Sequence, residues 1–217
     1  ASIVGEGEGS TPIKATTTAI TFTHYKLRCE ISMSMEVSTM SIDAFEAKFV
    51  EQVTNAMIKK IDELIINGTG SSQPKGILAE TPESGQALEV ESLSYTTLTD
   101  AEAAVPSEYE ADVKWCMNKK TFMAFMGLTD STGQPIARVN YGVGGKPERT
   151  LLGRDVLITK HVKDFADNNI FAFLFNFKDY TLNTVYDMGV QRKQDWDTED
   201  MRTKAVMGID GKVVDKS

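Results

Sequence analysis

Between Ile42 and Ile66 an apolar residue returns at every fourth position. Phe45, Phe49, Val53, Met57, Ile61 and Ile65 form this row, the spacing that gathers side chains on one face of an α-helix. Ile42, Val50, Ile58, Leu64 and Ile66 widen the stripe, so the helix is expected to be buried on more than one side. Glu46, Lys48, Glu51, Lys59, Lys60 and Asp62 keep much of the rest polar. Ser41 suits an N-cap and Asp43 the positive end of the helix dipole. About 25 residues make a rod of roughly 37 Å, whereas a compact domain of this mass has a radius of gyration of only about 17 Å. The helix is therefore expected to be the spine of a flat or elongated subunit.

Before the helix the pattern changes period. From about Ile13 to Val37 the chain alternates as a strand does, but with a change of phase. Ile20 and Phe22 share one parity; Tyr25, Leu27, Cys29, Ile31 and Met33 share the other. A long β-arm, bent or bulged near Thr23–His24, is expected, with His24, Lys26, Arg28 and Glu30 on its polar face. Gly5–Ser10 reads as a flexible tip carrying Glu6 and Glu8. After the helix come a short helix over Leu98–Val105, ended by Pro106, and a buried strand over Asp112–Met117. Asn118 then caps a helix carrying Phe122, Met123, Phe125 and Met126. Asp130–Gly133 reads as a turn and Tyr141–Pro147 as a loop. Strands are expected over Asp155–Thr159, Ile170–Phe175, Thr181–Tyr186, Val190–Lys193, Thr203–Ile209 and Lys212–Val214, the last two joined by a hairpin turn at Asp210-Gly211. Helices and strands intermix without a βαβ repeat, which makes the class α+β.

Composition narrows the function. The chain is 217 residues long, 41% hydrophobic and 25% charged, with a net charge of −8. That balance disfavours a general nucleic-acid binder. Residues 80–112 hold nine acidic side chains and no Lys or Arg, a solvated face or a surface that meets a basic patch on a neighbour. Cys29 and Cys116 suit small buried positions in a reducing compartment. No stretch has the apolar length to cross a bilayer, and no signal peptide is evident. The chain opens at Ala1 without an initiator Met, so residues upstream are expected.

Catalytic patterns fail on spacing. His24 and His161 belong to no H-x-x-x-H or H-x-E pattern, and two distant cysteines add no metal set. No G-x-S-x-G elbow occurs. Trp196-Asp197-Thr198-Glu199-Asp200 gathers three acids beside an indole and reads as a solvated turn or helix start more readily than as a catalytic or calcium site. Gly145-Lys146 resembles the end of a phosphate-binding loop, but Asn140 replaces its first glycine and Pro147 its Ser/Thr. Asn67-Gly68-Thr69 is formally a sequon, without evidence of secretion. The glycines at 68, 70 and 76 follow a long helix instead of opening one. Gly68 is expected to stop the helix in the left-handed conformation, and Gln73-Pro74-Lys75-Gly76 to re-aim the chain.

The helix that ends I-I-N-G-T-G-S-S-Q-P-K-G-I-L resembles the tailed-phage major capsid proteins of the Hong Kong 97-type fold. The order of K-W-C-M-N (114–118), D-S-T-G-Q-P (130–135), L-L-G-R-D-V (151–156), I-F-A-F-L-F-N-F-K-D-Y (170–180) and D-G-K-V-V-D (210–215) is similar to that family over nearly the whole chain. The resemblance implies a structural shell protein with no cofactor and no catalytic residues. It implies an E-loop arm over 1–30, a peripheral domain over 31–76 and 181–207 with its spine helix at 42–66, and an axial domain over 77–180 and 208–217. Gly68, Gly70, Pro74 and Gly76 would form the hinge between domains. Glu6, Glu8, Lys14, Arg28, Glu30, Lys146, Arg192, Asp197 and Glu199 are the candidate contacts between subunits. Implied partners are further copies in pentamers and hexamers, scaffold, protease or portal proteins, and packaged DNA enclosed without sequence-specific binding, with no membrane. Assembly in the cytoplasm of a bacterial host is implied too. Some relatives cross-link an E-loop lysine to a peripheral-domain asparagine. Lys14 could be the lysine, but T-E-D-M-R-T-K (198–204) offers no Asn, so no isopeptide bond is expected. An encapsulin shell of the same fold and a soluble α+β enzyme with an acidic cleft are the alternatives.

Overall fold

The computed structural model describes residues 20–33, 42–107, 109–129, 138–140, 148–198 and 200–214. The spine helix, α1, spans Ile42–Asn67. Val53 and Met57, one turn apart, are buried against a three-stranded antiparallel sheet, and Leu64 and Ile66 are buried near the other end. Ile58, expected in the buried stripe, is half exposed because it points away from both contacts. The side chains of Phe45 and Phe49 lie outside the description.

The three-stranded sheet has β1 (Tyr25–Met33) and β7 (Tyr180–Gln194) on either side of β8 (Met201–Val213). Leu27, Cys29 and Ile31 face Met207, Ala205 and Thr203 in register. Most of this row packs with Val53 and Met57 of α1. Period-two alternation in β1 thus meets period-four spacing in α1, and the two apolar faces close on each other.

Three expectations fail here. Among the described residues the arm's strand begins at Tyr25: Ile20–His24 is not in a strand, so no bulge lies at the phase change. The stretches 181–186 and 190–193 are one strand, β7, whose pairing with β8 slips between Thr184, Tyr186 and Gly189. Asp210-Gly211 is not a turn but lies within β8, opposite Asn183 and Leu182. An added Cβ at 211 would stand 2.2 Å from the Tyr180 hydroxyl, so a larger residue there would push the Tyr180 ring aside.

The second sheet is mixed and five-stranded. Its order is β3 (Arg138–Asn140), β4 (Glu148–Leu151), β5 (Arg154–Ile158), β2 (Lys114–Met117) and β6 (Ala172–Phe175). The central strand β2 runs parallel to β5 and antiparallel to β6. Leu152 and Gly153, both at positive φ (50° and 83°), turn β4 into β5. Trp115 and Met117 point to one face, into a core with Leu98, Phe122, Phe125, Leu151 and Val156. The first of these comes from α2 (Tyr95–Ala103), three residues earlier than expected, where Ser94 caps by accepting from the Thr97 amide at 3.3 Å. The two phenylalanines come from α3 (Lys119–Met126). Asn118 caps α3 as expected, accepting from the Lys120 amide at 3.1 Å, while its amide nitrogen donates to Val162 O. Met123 of the same helix is more than half exposed.

Cys116 faces the other way. It is fully buried with Ile66 of α1 and Val162, under Leu78, Phe173 and Phe177. One four-residue strand therefore serves two cores, and its middle residue joins the end of the spine helix to the five-stranded sheet. Burial pushes the Cys116 thiol up to about 12, so at neutral pH it is a small hydrophobe and no nucleophile. Asp130–Gly133, Tyr141–Pro147 and the arm before Ile20 lie outside the described residues.

Candidate functional site

The two faces of the three-stranded sheet differ in chemistry. Residues opposite one another across an antiparallel pair share a face. Arg28, Glu30 and Ser32 oppose Val206, Lys204 and Arg202, which in turn oppose Gly189, Gln191 and Lys193. The face turned away from α1 is thus a charged band. Glu30 accepts from the Arg28 guanidinium, and Arg202 Nη1 lies 3.9 Å from it. The hydrogen bond from Arg28 holds the Glu30 carboxyl below the usual range, helped by the charges of Arg28, Arg202 and Lys204. Two candidate contacts, Arg28 and Glu30, lie on this band. Arg192 does not: it opposes Thr203, in the row of the α1-facing residues. Sequence reasoning missed Arg202 and Lys204, although their alternation with Thr203 and Ala205 would have placed them there.

β7 and β8 end together in a projecting hairpin. The Asp195 amide donates to Asp200 O at 2.8 Å, and its Oδ1 accepts from the amides of Asp197 (2.9 Å) and Thr198 (3.4 Å). The bond from the Asp197 amide is the main reason that Asp195 stays ionised to lower pH than an ordinary aspartate. Arg202 Nη2 adds an ion pair at 2.5 Å. The described residues around Trp196 thus form a hydrogen-bonded, solvent-facing turn. This fixed turn presents Trp196 with 90% of its surface exposed, with Asp197 beside it. Glu199, like Glu6, Glu8, Lys14 and Lys146, lies outside the described residues.

The stretch after α1 is a closed knot. Gly68 N donates to Leu64 O (2.9 Å), Gly76 N to Gly68 O (2.8 Å) and Gly70 N to Pro74 O (3.2 Å). Gln73 Nε2 closes the loop from inside on Thr69 Oγ1 at 2.8 Å, and Pro74 is buried. Gly68 does not adopt the left-handed conformation expected of it; Gly70 (φ 76°) and Ser72 (φ 57°) do. Gly68 is required for closeness instead: a Cβ there would stand 2.2 Å from Pro74 O and 2.5 Å from Leu64 O. Gly76 is enclosed likewise, at 2.5 Å from Gly68 N. The knot is tied to both sheets' surroundings, by Lys75 N to Gly211 O (3.0 Å) and by Asn67 Nδ2 to His161 O (2.7 Å).

Much of the acidic stretch is neutralised within the chain. Glu80 pairs with Lys75 at 2.9 Å, Asp112 with Lys178 at 2.7 Å, and Glu102 and Glu110 with Arg154. Glu83, Glu89, Glu91 and Asp100 belong to a solvated surface. The groove beside Arg154 is shallow, and its cation is already engaged by Glu102 and Glu110. Among the described residues no group of His, Cys, Asp and Glu is placed to hold a metal, and no helix is long and apolar enough to cross a membrane.

A family model described as "Phage capsid family" matches residues 1–217. No curated protein matches the chain. Among solved structures, the capsid of an empty GTA particle aligns with a TM-score of 0.76 at 22% identity, over 97% of this chain and 78% of that one. Gordonia phage Cozz aligns at 0.66 and 15%, over 100% and 75%. The holo-SrpI encapsulin complex from Synechococcus elongatus PCC 7942 aligns at 0.67 and 11%, over 89% and 71%. These likenesses show the same capsid fold.

Proposed function

This chain belongs to the phage capsid family, and from that premise we propose that it forms an icosahedral shell of pentamers and hexamers around double-stranded DNA. It is a major capsid protein: a structural subunit of a virion shell, not an enzyme. The finer assignments follow the fold. The spine helix with the three-stranded sheet acts as the peripheral domain, the five-stranded sheet with α2 and α3 as the axial domain, and residues before Tyr25 as the E-loop arm. β8 runs unbroken through position 208, so the peripheral sheet and the C-terminal residues share one strand. The knot at 68–76 links the two domains.

The observation that carries this reading is the hairpin of β7 and β8. It sets a 90% exposed indole on a turn locked by Asp195, and β7, an edge strand among the described residues, leaves Val185, Tyr186 and Val190 exposed. A monomer gains nothing from such a surface. A shell uses it many times over, since weak contacts repeated by symmetry act together. Contacts are assigned to the charged band (Arg28, Glu30), to Arg192 and the hairpin tip (Asp197, Glu199), and to Glu6, Glu8, Lys14 and Lys146. Scaffold, protease and portal proteins of the phage are the further partners, and assembly takes place in the host cytoplasm. An acidic chain suits enclosure of DNA without sequence-specific binding.

Negative-stain microscopy of the expressed protein tests the proposal. Uniform shells that package nuclease-protected DNA in the presence of the phage's other proteins are expected. Shells that exclude DNA and hold a protein cargo would establish the encapsulin alternative, and a monomer that never assembles would overturn both. Particles boiled in detergent are expected to run as single chains, because 198–204 offers Lys14 no asparagine; a ladder of covalent multimers would refute this.

A further inference from the structure

The ladder between β1 and β8 stops at Tyr25, opposite Ile209. Continued for two more rungs, it would set Thr23 against Gly211. The Gly211 carbonyl, however, accepts from Lys75 N at 3.0 Å. The knot after the spine helix thus bonds to β8 where the strand would otherwise run on.

The chain before Tyr25 is held by side chains instead. Asp210 is completely buried. Its Oδ2 accepts from the Thr23 amide at 2.8 Å and lies 3.4 Å from the Thr23 hydroxyl, while its Oδ1 accepts from the Gly211 amide at 2.8 Å. Two residues further along β8, Lys212 Nζ donates to Thr21 O at 2.5 Å and stands 5.9 Å from the centre of the Phe22 ring. Each charge meets its complement: the carboxylate takes donors, and the ammonium takes a carbonyl and a π-face.

The geometry points to Asp210 and Lys212 as a two-point latch that fixes the direction in which the chain enters β1, with Lys75 as the wedge that stops the sheet from zipping further. This goes beyond the shell assignment, since it concerns contacts within one subunit. It also accounts for Asp-Gly-Lys inside a strand, where a hairpin turn was expected. One consequence rests on the capsid reading: an arm that reaches a neighbouring subunit would leave its own subunit at a set angle and need no neighbour to aim it.

Hydrogen exchange resolved to single amides, on the full chain, tests the latch without reference to assembly. In the unaltered protein the Thr23 amide is expected to be protected. Asp210→Ala should speed its exchange about tenfold or more, while Leu27–Ile31 in β1 keep their rates. Asp210→Asn, which retains one acceptor oxygen, should fall between. Unprotected Thr23 in the unaltered chain, or Thr23 still protected in Asp210→Ala, would overturn the proposal. If Asp210→Ala also loses β1 protection, Lys212→Met decides: faster exchange over 21–23 with β1 intact supports the latch, and unchanged exchange refutes it.

Discussion

The two sheets of this molecule are built to different standards of completeness. The five-stranded sheet buries Leu98, Trp115, Met117, Phe122, Phe125 and Leu151 to 3% exposure or less. The three-stranded sheet buries Ala205 with Val53 and Met57 of α1, and Ile209 and Val213 further along β8, but leaves Val185, Tyr186 and Val190 of β7 and Trp196 at its hairpin tip in solvent. The first is covered by helices of its own chain. The second offers a charged band on one face, a long strand on its edge and an indole at its tip. A subunit that must fold before it assembles needs one self-sufficient core, and a subunit that must assemble needs one sheet whose surface is left for neighbours.

The largest test of this contrast is truncation in each sheet. Phe122→Ala should cost the isolated subunit about 3–5 kcal/mol in denaturant unfolding, whereas Val190→Ala should cost under about 1 kcal/mol. Equal losses would erase the contrast. Glycines give the next effect. Gly68 is enclosed by backbone on two sides, while a Cβ at Gly208 would first meet the ring of Tyr186, itself 41% exposed. Gly68→Ala should therefore destabilise by about 1–3 kcal/mol, and Gly208→Ala by less, because a half-exposed ring can move. A third difference is chemical. A thiol reagent at neutral pH should modify partly buried Cys29 before Cys116, whose thiol is fully covered and pushed up to about 12; the reverse order would show that the junction opens easily. The smallest effect is acid. Glu30 and Asp195 have folded-state values below the unfolded ones, so their contribution is full above the unfolded carboxylate range and is lost as pH falls through the folded value. Below about pH 4 the hairpin tip should loosen first, seen as faster exchange at the Asp197 and Thr198 amides, while the five-stranded core holds. Asp195→Asn should weaken that pH dependence.

Local chemistry was legible where one segment carried its own answer. α1 ends within a residue of the position its periodicity indicates, Asn118 caps α3, and the alternation of Trp115, Cys116 and Met117 is the alternation of two cores. Glycines were only partly legible. α1 does stop at Asn67-Gly68, but Gly68 is glycine because Pro74 O comes against it and not for a left-handed turn, while Gly211 looked like half a turn and lies within β8 against Tyr180. The charged band was half legible. Arg28 and Glu30 were found from β1 alone, while Arg202 and Lys204 needed the register across β8. Arg192 falls in the other row because it opposes Thr203; the two slips between Thr184 and Gly189 shift the register by two residues in all and so leave its face unchanged.

The sequence by itself determined the spine helix, the α+β class, the absence of a familiar catalytic pattern and, through the order of its motifs, the family. Those properties rest on periods of two and four and on spacings within a few residues. Tertiary structure alone decided that β7 and β8 are single long strands, that 68–76 is a stapled knot, that Trp196 stands in solvent and that Asp210 holds Thr23. The last joins residues 187 positions apart in the chain. No local pattern records a contact of that kind, because it is chosen by which surfaces meet when the sheets and the helix close.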